Sequence, residues 1–166
     1  MNKTWSVSDK QQIGCSVEDL WSLIIEPGNL NLVHPFCRSN EIIEWQNGNY
    51  RDVLVYLNGL TYFREIIKFE INKGYTLFIG KKSGKKSKVI WEITSFKNQT
   101  YLSITVYPYL LGSWPKILSF VPYILIINPY LKKYLNSVLK GINFYVVNKT
   151  TVPRNHFGKH RWFSKF

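Results

Sequence analysis

Between Asn40 and Tyr107 apolar and polar residues alternate with a period of two, and turn residues interrupt them at short intervals. On either side of this region the apolar residues recur every three or four positions. The middle part predicts an antiparallel sheet with strands at Glu41–Gln46, Tyr50–Leu57, Leu60–Ile71, Tyr75–Gly80, Ser87–Phe96 and Tyr101–Tyr107. Asn47-Gly48 and Asn58-Gly59 are strong hairpin signals, since both turn positions favour residues that tolerate positive φ. Thr4–Ile13 alternates weakly and predicts an earlier strand. After Gly14, Ser16 offers a capping hydroxyl and Glu18 and Asp19 offer carboxylates to the positive end of a helix that buries Val17, Leu20, Trp21, Leu23 and Ile24. Pro27-Gly28 ends that helix, and Asn29–Phe36 has room for one short turn before Pro35.

Asn128–Val147 predicts a long C-terminal helix. Leu131, Leu135, Val138, Ile142 and Val146 form one stripe, with Lys132, Lys133, Lys140 and Asn143 off it. Asn128 is the expected cap and Pro129 the first helical residue. Gly141 costs such a helix about 1 kcal/mol against Ala, so it marks either a close approach or a soft point.

If the apolar parity faces inward, the sheet buries Val53, Val55, Leu57, Phe63, Ile67, Phe69, Leu77, Ile79, Val89, Trp91, Ile93, Leu102, Ile104 and Val106, with one charge, Glu65, among them. Tyr62, Arg64, Lys68, Glu70, Glu92, Thr94, Ser103 and Thr105 then take the wet face. A single bulge would invert every assignment after it.

Length, at 166 residues, favours one domain over residues 1–150 with a basic and aromatic tail at 151–166 whose composition allows disorder. An aromatic content of 16% within 45% hydrophobic residues excludes a disordered chain. The net charge of +12 is unevenly spread: residues 93–166 hold ten Lys or Arg and no acid. Such a field points to an anionic partner, a membrane surface before nucleic acid, because no nucleic-acid-reading motif occurs. Cys15 and Cys37 follow no metal or redox spacing, so a reduced cytoplasmic setting, at the periphery of a membrane, is expected.

A strand, two short helices, a run of antiparallel strands and a long last helix resemble the helix-grip architecture of the START/Bet v 1-like superfamily, including its polyketide cyclase/dehydrase branch. The local part that carries the resemblance is CSVEDLWSLIIEPGNLNLVHPF, Cys15–Phe36. The resemblance implies an α+β fold with a curved sheet of about seven strands around the last helix. It also implies a cavity for a lipid, isoprenoid or polyketide-like ligand, with function in binding, transfer or, in the rival reading, cyclisation or dehydration. By position, His34, Phe36, Val55, Phe63, Glu65, Ile67, Leu77, Trp91, Ile104, Leu135, Val138 and Ile142 would meet the ligand. His34 and Glu65 are the candidate acid–base pair, although each has a plain structural reading: a hydrogen-bonded histidine, and a strand glutamate paired with Arg51 or Arg38. No cofactor and no metal site are expected, because His156 and His160 lack companion ligands.

Leu110–Ile127, LLGSWPKILSFVPYILII, departs from that family pattern with one charge in eighteen residues. Pro115 and Pro122 interrupt it, so it suits the membrane interface rather than a span, with Trp114, Lys116, Ile117, Phe120, Tyr123 and Ile124 as contacts. A homodimer interface is the competing use of the same residues, and would make the protein an interaction module.

Overall fold

Ser16 starts the first helix as its chemistry predicts, its Oγ accepting the Asp19 N–H at 3.0 Å. The computed structural model describes residues 5–109 and 120–165. In chain order these form β1 (Val7–Ile13), α1 (Val17–Ile25), α2 (Leu30–Val33), β2 (Cys37–Gln46), β3 (Asn49–Tyr56), β4 (Thr61–Glu70), β5 (Gly74–Gly80), β6 (Ser87–Phe96), β7 (Gln99–Tyr107) and α3 (Asn128–Asn148). The seven strands make one antiparallel curved sheet in the order β1-β7-β6-β5-β4-β3-β2, so the fold is the expected α+β helix grip. Asn47 and Gly48 both take positive φ, as the β2–β3 hairpin requires. Thr4 and residues 110–119, including Trp114, Lys116 and Ile117, lie outside the described residues.

The stripe of α3 is buried throughout, from Leu131 to Val146. Its outer turn is tied to β1: Lys132 Nζ donates to the Ser8 carbonyl at 2.7 Å, and Asn136 Nδ2 to Asp9 Oδ2 at 3.2 Å. Gly141 marks a close approach, since a Cβ there would stand 2.2 Å from the Val33 carbonyl oxygen of α2. The expected cap at Asn128 is not one. Helical backbone already runs from Phe120, and a π-helical turn, Tyr123–Ile127, leads directly into α3. Pro129 has no N–H for the carbonyl four residues back and its ring crowds that turn. The wider turn accommodates this, with the Asn128 N–H bonded to Tyr123 O, five residues behind.

Parity holds on β5, β6 and β7, and it is inverted on β3 and the first half of β4. Asp52, Leu54 and Tyr56 are buried, and Val53, Val55 and Leu57 are not. Alternation assigns charges to solvent, but Asp52 and Arg64 face each other across β3 and β4 and form an ion pair at 3.3 Å on the inner face. Tyr62 and Arg64 therefore point inward, and Phe63, Glu65 and Ile67 point out. A register shift between Ile66 and Lys68 restores the parity, returning Phe69 to the core beside Tyr50 and Trp21.

Residues 151–165 pack against the domain. The Val152 N–H bonds to Leu32 O at 2.9 Å, the Asn155 N–H to Pro35 O at 2.9 Å, and Phe163 and His160 are buried. Aromatic side chains account for this docking, since burying rings offsets the entropy of ordering the tail. Among the described residues no helix is long and apolar enough to cross a membrane.

Candidate functional site

Between the inner face of the sheet and α3 lies an internal cavity of about 120 Å³. Leu77, Val89, Trp91, Ile104 and Val106 form its sheet wall, and Leu131, Leu135 and Val138 its helix wall. Of the residues expected to meet a ligand, His34, Leu77, Trp91, Ile104, Leu135 and Val138 line it. Phe36 and Ile142 are fully buried in the core beside it, and Val55, Phe63, Glu65 and Ile67 sit on the other side of the sheet.

His34 follows α2, its backbone N–H bonded to Leu30 O, which aims the ring at α3. Its Nδ1 accepts the Phe36 N–H at 3.2 Å, so the ring hydrogen is on Nε2 and donates to the Tyr134 hydroxyl at 2.9 Å. The Tyr134 and Tyr56 hydroxyls are 3.1 Å apart, and one donates to the other. The three groups carry three hydrogens and use two, leaving one tyrosine O–H for an occupant of the cavity. Burial, reinforced by the Arg64 cation, lowers the His34 pKa to about 3, and burial raises Tyr134 to about 12. At neutral pH the whole chain of groups is therefore uncharged.

Arg64, 5% exposed, brings the charge. Burial opposes its ionisation, while Asp52 and the surrounding phenols favour it. Its Nη1 is buried and makes no hydrogen bond, although Asp52 Oδ2 lies 3.3 Å away. The polar end of the cavity is thus lined by Arg64 and by the hydroxyls of Tyr56 and Tyr134, and among the described lining residues by no carboxylate.

His34 and Glu65 do not converge. Glu65 is on the outer face, 3.2 Å from Lys86 Nζ, while Arg51, one of its two expected partners, pairs with Glu44. Sequence reasoning missed Tyr56, Arg64 and Tyr134. The alternation Asp52-Leu54-Tyr56 was the available signal for the first, and the position of Tyr134 between stripe residues Leu131 and Val138 for the last. His156 packs at a tilt against Phe144 and His160 is buried against Tyr130, so the two do not form a pair. Among the described residues no His, Cys, Asp or Glu group is arranged to hold a metal. Both cysteines are free thiols, and burial raises the pKa of Cys37 to about 12.

The contacts expected of the apolar insert divide. Phe120 and Ile124 are exposed, together with Val121, Leu125 and Ile126. Tyr123 is instead buried, stacked on Trp5 at 4.5 Å with its hydroxyl donating to Ser6 O at 2.6 Å.

No protein-family model and no curated protein matches the chain. Solved structures do. StfQ, a di-domain ARO/CYC from the steffimycin biosynthetic pathway, superposes with a TM-score of 0.65 at 13% identity, over 87% of this chain and 51% of StfQ. DynU16, from the dynemicin biosynthetic locus, gives 0.63 at 14% identity, over 88% of this chain and 48% of DynU16. Ara h 8.0201 gives 0.60 at 14%, over 87% and 99%. The chain spans about half the length of StfQ and DynU16. These likenesses show the fold, a helix grip that this chain shares with those structures.

Proposed function

We propose that this protein binds an amphipathic small molecule, lipid, isoprenoid or polyketide-like, whose oxygen-bearing end accepts hydrogen bonds from Arg64 and the Tyr56–Tyr134 pair. The observation that carries this reading is a polar end, with Arg64 and the phenols but no carboxylate among the described lining residues, in an otherwise apolar cavity. A carbonyl, carboxylate or phenolate oxygen gives Arg64 a hydrogen-bond acceptor beside its Asp52 ion pair, whereas a hydrocarbon gives it none, a difference of about 1–3 kcal/mol. Affinity comes from the apolar remainder, at about 25 cal/mol per Å² buried. Binding and transfer at an anionic membrane surface suit the exposed Phe120, Val121, Ile124, Leu125 and Ile126 and the basic C-terminal half. The likeness to the ARO/CYC StfQ and to DynU16 of a biosynthetic locus supports such a ligand class.

A cyclase reading has one specific support: the same donors would stabilise an enolate oxygen. Against it, no free base lines the cavity among the described residues, since His34 Nδ1 is already occupied and Glu65 is outside.

Native mass spectrometry of protein purified without detergent, followed by solvent extraction, tests the reading. A bound organic mass is expected in the wild type, absent from Leu135→Trp, whose larger side chain fills the cavity, and depleted of acids and ketones in Arg64→Gln. Equal loading of all three proteins would overturn it.

A further inference from the structure

The outer wall of the cavity is supplied by the chain's own C-terminal segment. Trp162 and Phe163 both line it. Phe163 is stacked on Tyr56 with centroids 4.3 Å apart and planes 22° apart, stacked on His160 at 5.0 Å and 17°, and tilted against Tyr134 at 4.6 Å. Trp162 stacks on Tyr130 at 5.1 Å. Phe163 therefore touches both tyrosines whose hydroxyls make the polar end, where a ring of a bound ligand would also rest.

Size sharpens this point. About 120 Å³ is room for roughly one small ring, whereas sites for amphiphiles of ordinary size run to about 300–1,000 Å³. Something must move to admit such a ligand. The sheet is a continuous ladder, and the stripe of α3 is core. The segment 160–164 has no ladder, and its ties are few. Asn58 Nδ2 donates to Trp162 O at 2.8 Å, the Asn58 N–H to Phe163 O at 3.4 Å, His160 Nε2 to Tyr130 O at 2.9 Å, Arg161 Nη1 to the Tyr130 hydroxyl at 3.3 Å, and Ser164 Oγ to Asn155 Oδ1 at 2.5 Å. The two that hold Trp162 and Phe163 themselves both come from one exposed residue in the β3–β4 turn.

We propose that Trp162-Phe163 is an intramolecular occupant of the outer half of the ligand site. A planar ring of the ligand takes the place of Phe163 on the face of Tyr56, within reach of the Arg64 and tyrosine donors. Tail docking and ligand binding exclude one another. The ligand class this selects is a fused or linked ring system bearing an acceptor oxygen. The proposal rests on the reading of the cavity as a ligand site. Apparent affinity then equals intrinsic affinity multiplied by the fraction of molecules with the tail undocked, so weakening the tail strengthens binding.

The test uses the full chain with 2-naphthoate as probe, measured by calorimetry, and trypsin cleavage after Lys159 and Arg161 as the readout of the tail. Asn58→Asp is the informative variant. It keeps the Oδ1 acceptor that holds the Leu60 N–H at 3.1 Å, and it replaces the donor to Trp162 O with a repelling oxygen. Its affinity for naphthoate is expected to rise about five- to tenfold, the worth of one hydrogen bond. Phe163→Ala should also bind more tightly than wild type, and saturating naphthoate should speed cleavage of the wild-type tail. Unchanged or weaker binding by Asn58→Asp, or a tail that naphthoate protects, would show a fixed wall and overturn the proposal while leaving the cavity reading intact. No saturable uptake by the wild type or either variant would remove the cavity reading, and this proposal with it.

Discussion

His34 is buried in the neutral form, and that choice of protonation state is a stability statement. Unfolded, the imidazole takes a proton near pH 6.5; folded, it resists until about pH 3, because burial and Arg64 both disfavour the cation. The groups packed around it are Arg64, Phe36 and the phenols Tyr56 and Tyr134, and none of them offers a negative charge. Its contribution is therefore complete above pH 6.5 and is lost as pH falls toward 3, by up to about 1.4 kcal/mol per pH unit. Urea denaturation at pH 7 and pH 4.5 checks this: the wild type should lose more stability than His34→Gln. His160, whose pKa burial also lowers, is present in both proteins and cancels. Equal losses would show that His34 titrates in the open. At this scale the sequence was legible only in part. His34 stood out because Pro35 and the short helix fix its place, whereas Arg64 was assigned to solvent and Asp52 was not singled out. Each is a charge that pays its burial through a partner on the neighbouring strand, which periodicity along a single strand does not show.

Among the elements, α3 was legible in its stripe and misread in its start. Five apolar positions at helical spacing are enough to mark the buried face. A proline two residues past the end of an apolar run reads as a helix start, yet the run itself is helical and a π-helical turn joins the two. Strand positions were legible because Asn-Gly turns punctuate them, and their faces were legible wherever no inner charge intervened. Gly141 had two readings in the sequence, and the structure selects the close approach. Gly141→Ala should therefore destabilise the protein by about 1–3 kcal/mol, although alanine is the better helix former by about 1 kcal/mol. The added methyl meets the Val33 carbonyl, a backbone atom held by α2, and Pro35 Cδ at 3.1 Å, so it has no flexible neighbour to displace. Thermal unfolding of this variant decides between the two readings: a stabilised protein would mean that α2 and α3 can separate at no cost.

For the molecule as a whole, two surface features have no internal use. Leu125 is 68% exposed and Val121 56%, with Phe120, Ile124 and Ile126 beside them along the helical run that enters α3. The half of the chain that carries this run holds most of the unbalanced charge, ten bases without an acid. An apolar strip in a positive field suits an anionic lipid surface better than a second copy of the same chain, because two copies would bring like charges together. Sedimentation with vesicles tests the choice. Binding to vesicles containing phosphatidylglycerol should exceed binding to pure phosphatidylcholine and weaken as salt shortens the Debye length. Ile124→Asp with Leu125→Asp should reduce it at least about tenfold, since each side chain is worth about 1.5–3 kcal/mol when buried. Both residues point away from the cavity, so naphthoate binding should survive the change. If vesicles of both kinds are ignored and the wild type instead shows a mass that rises with concentration and reverts in the double variant, the strip is a dimer interface, and ligand exchange does not depend on the membrane.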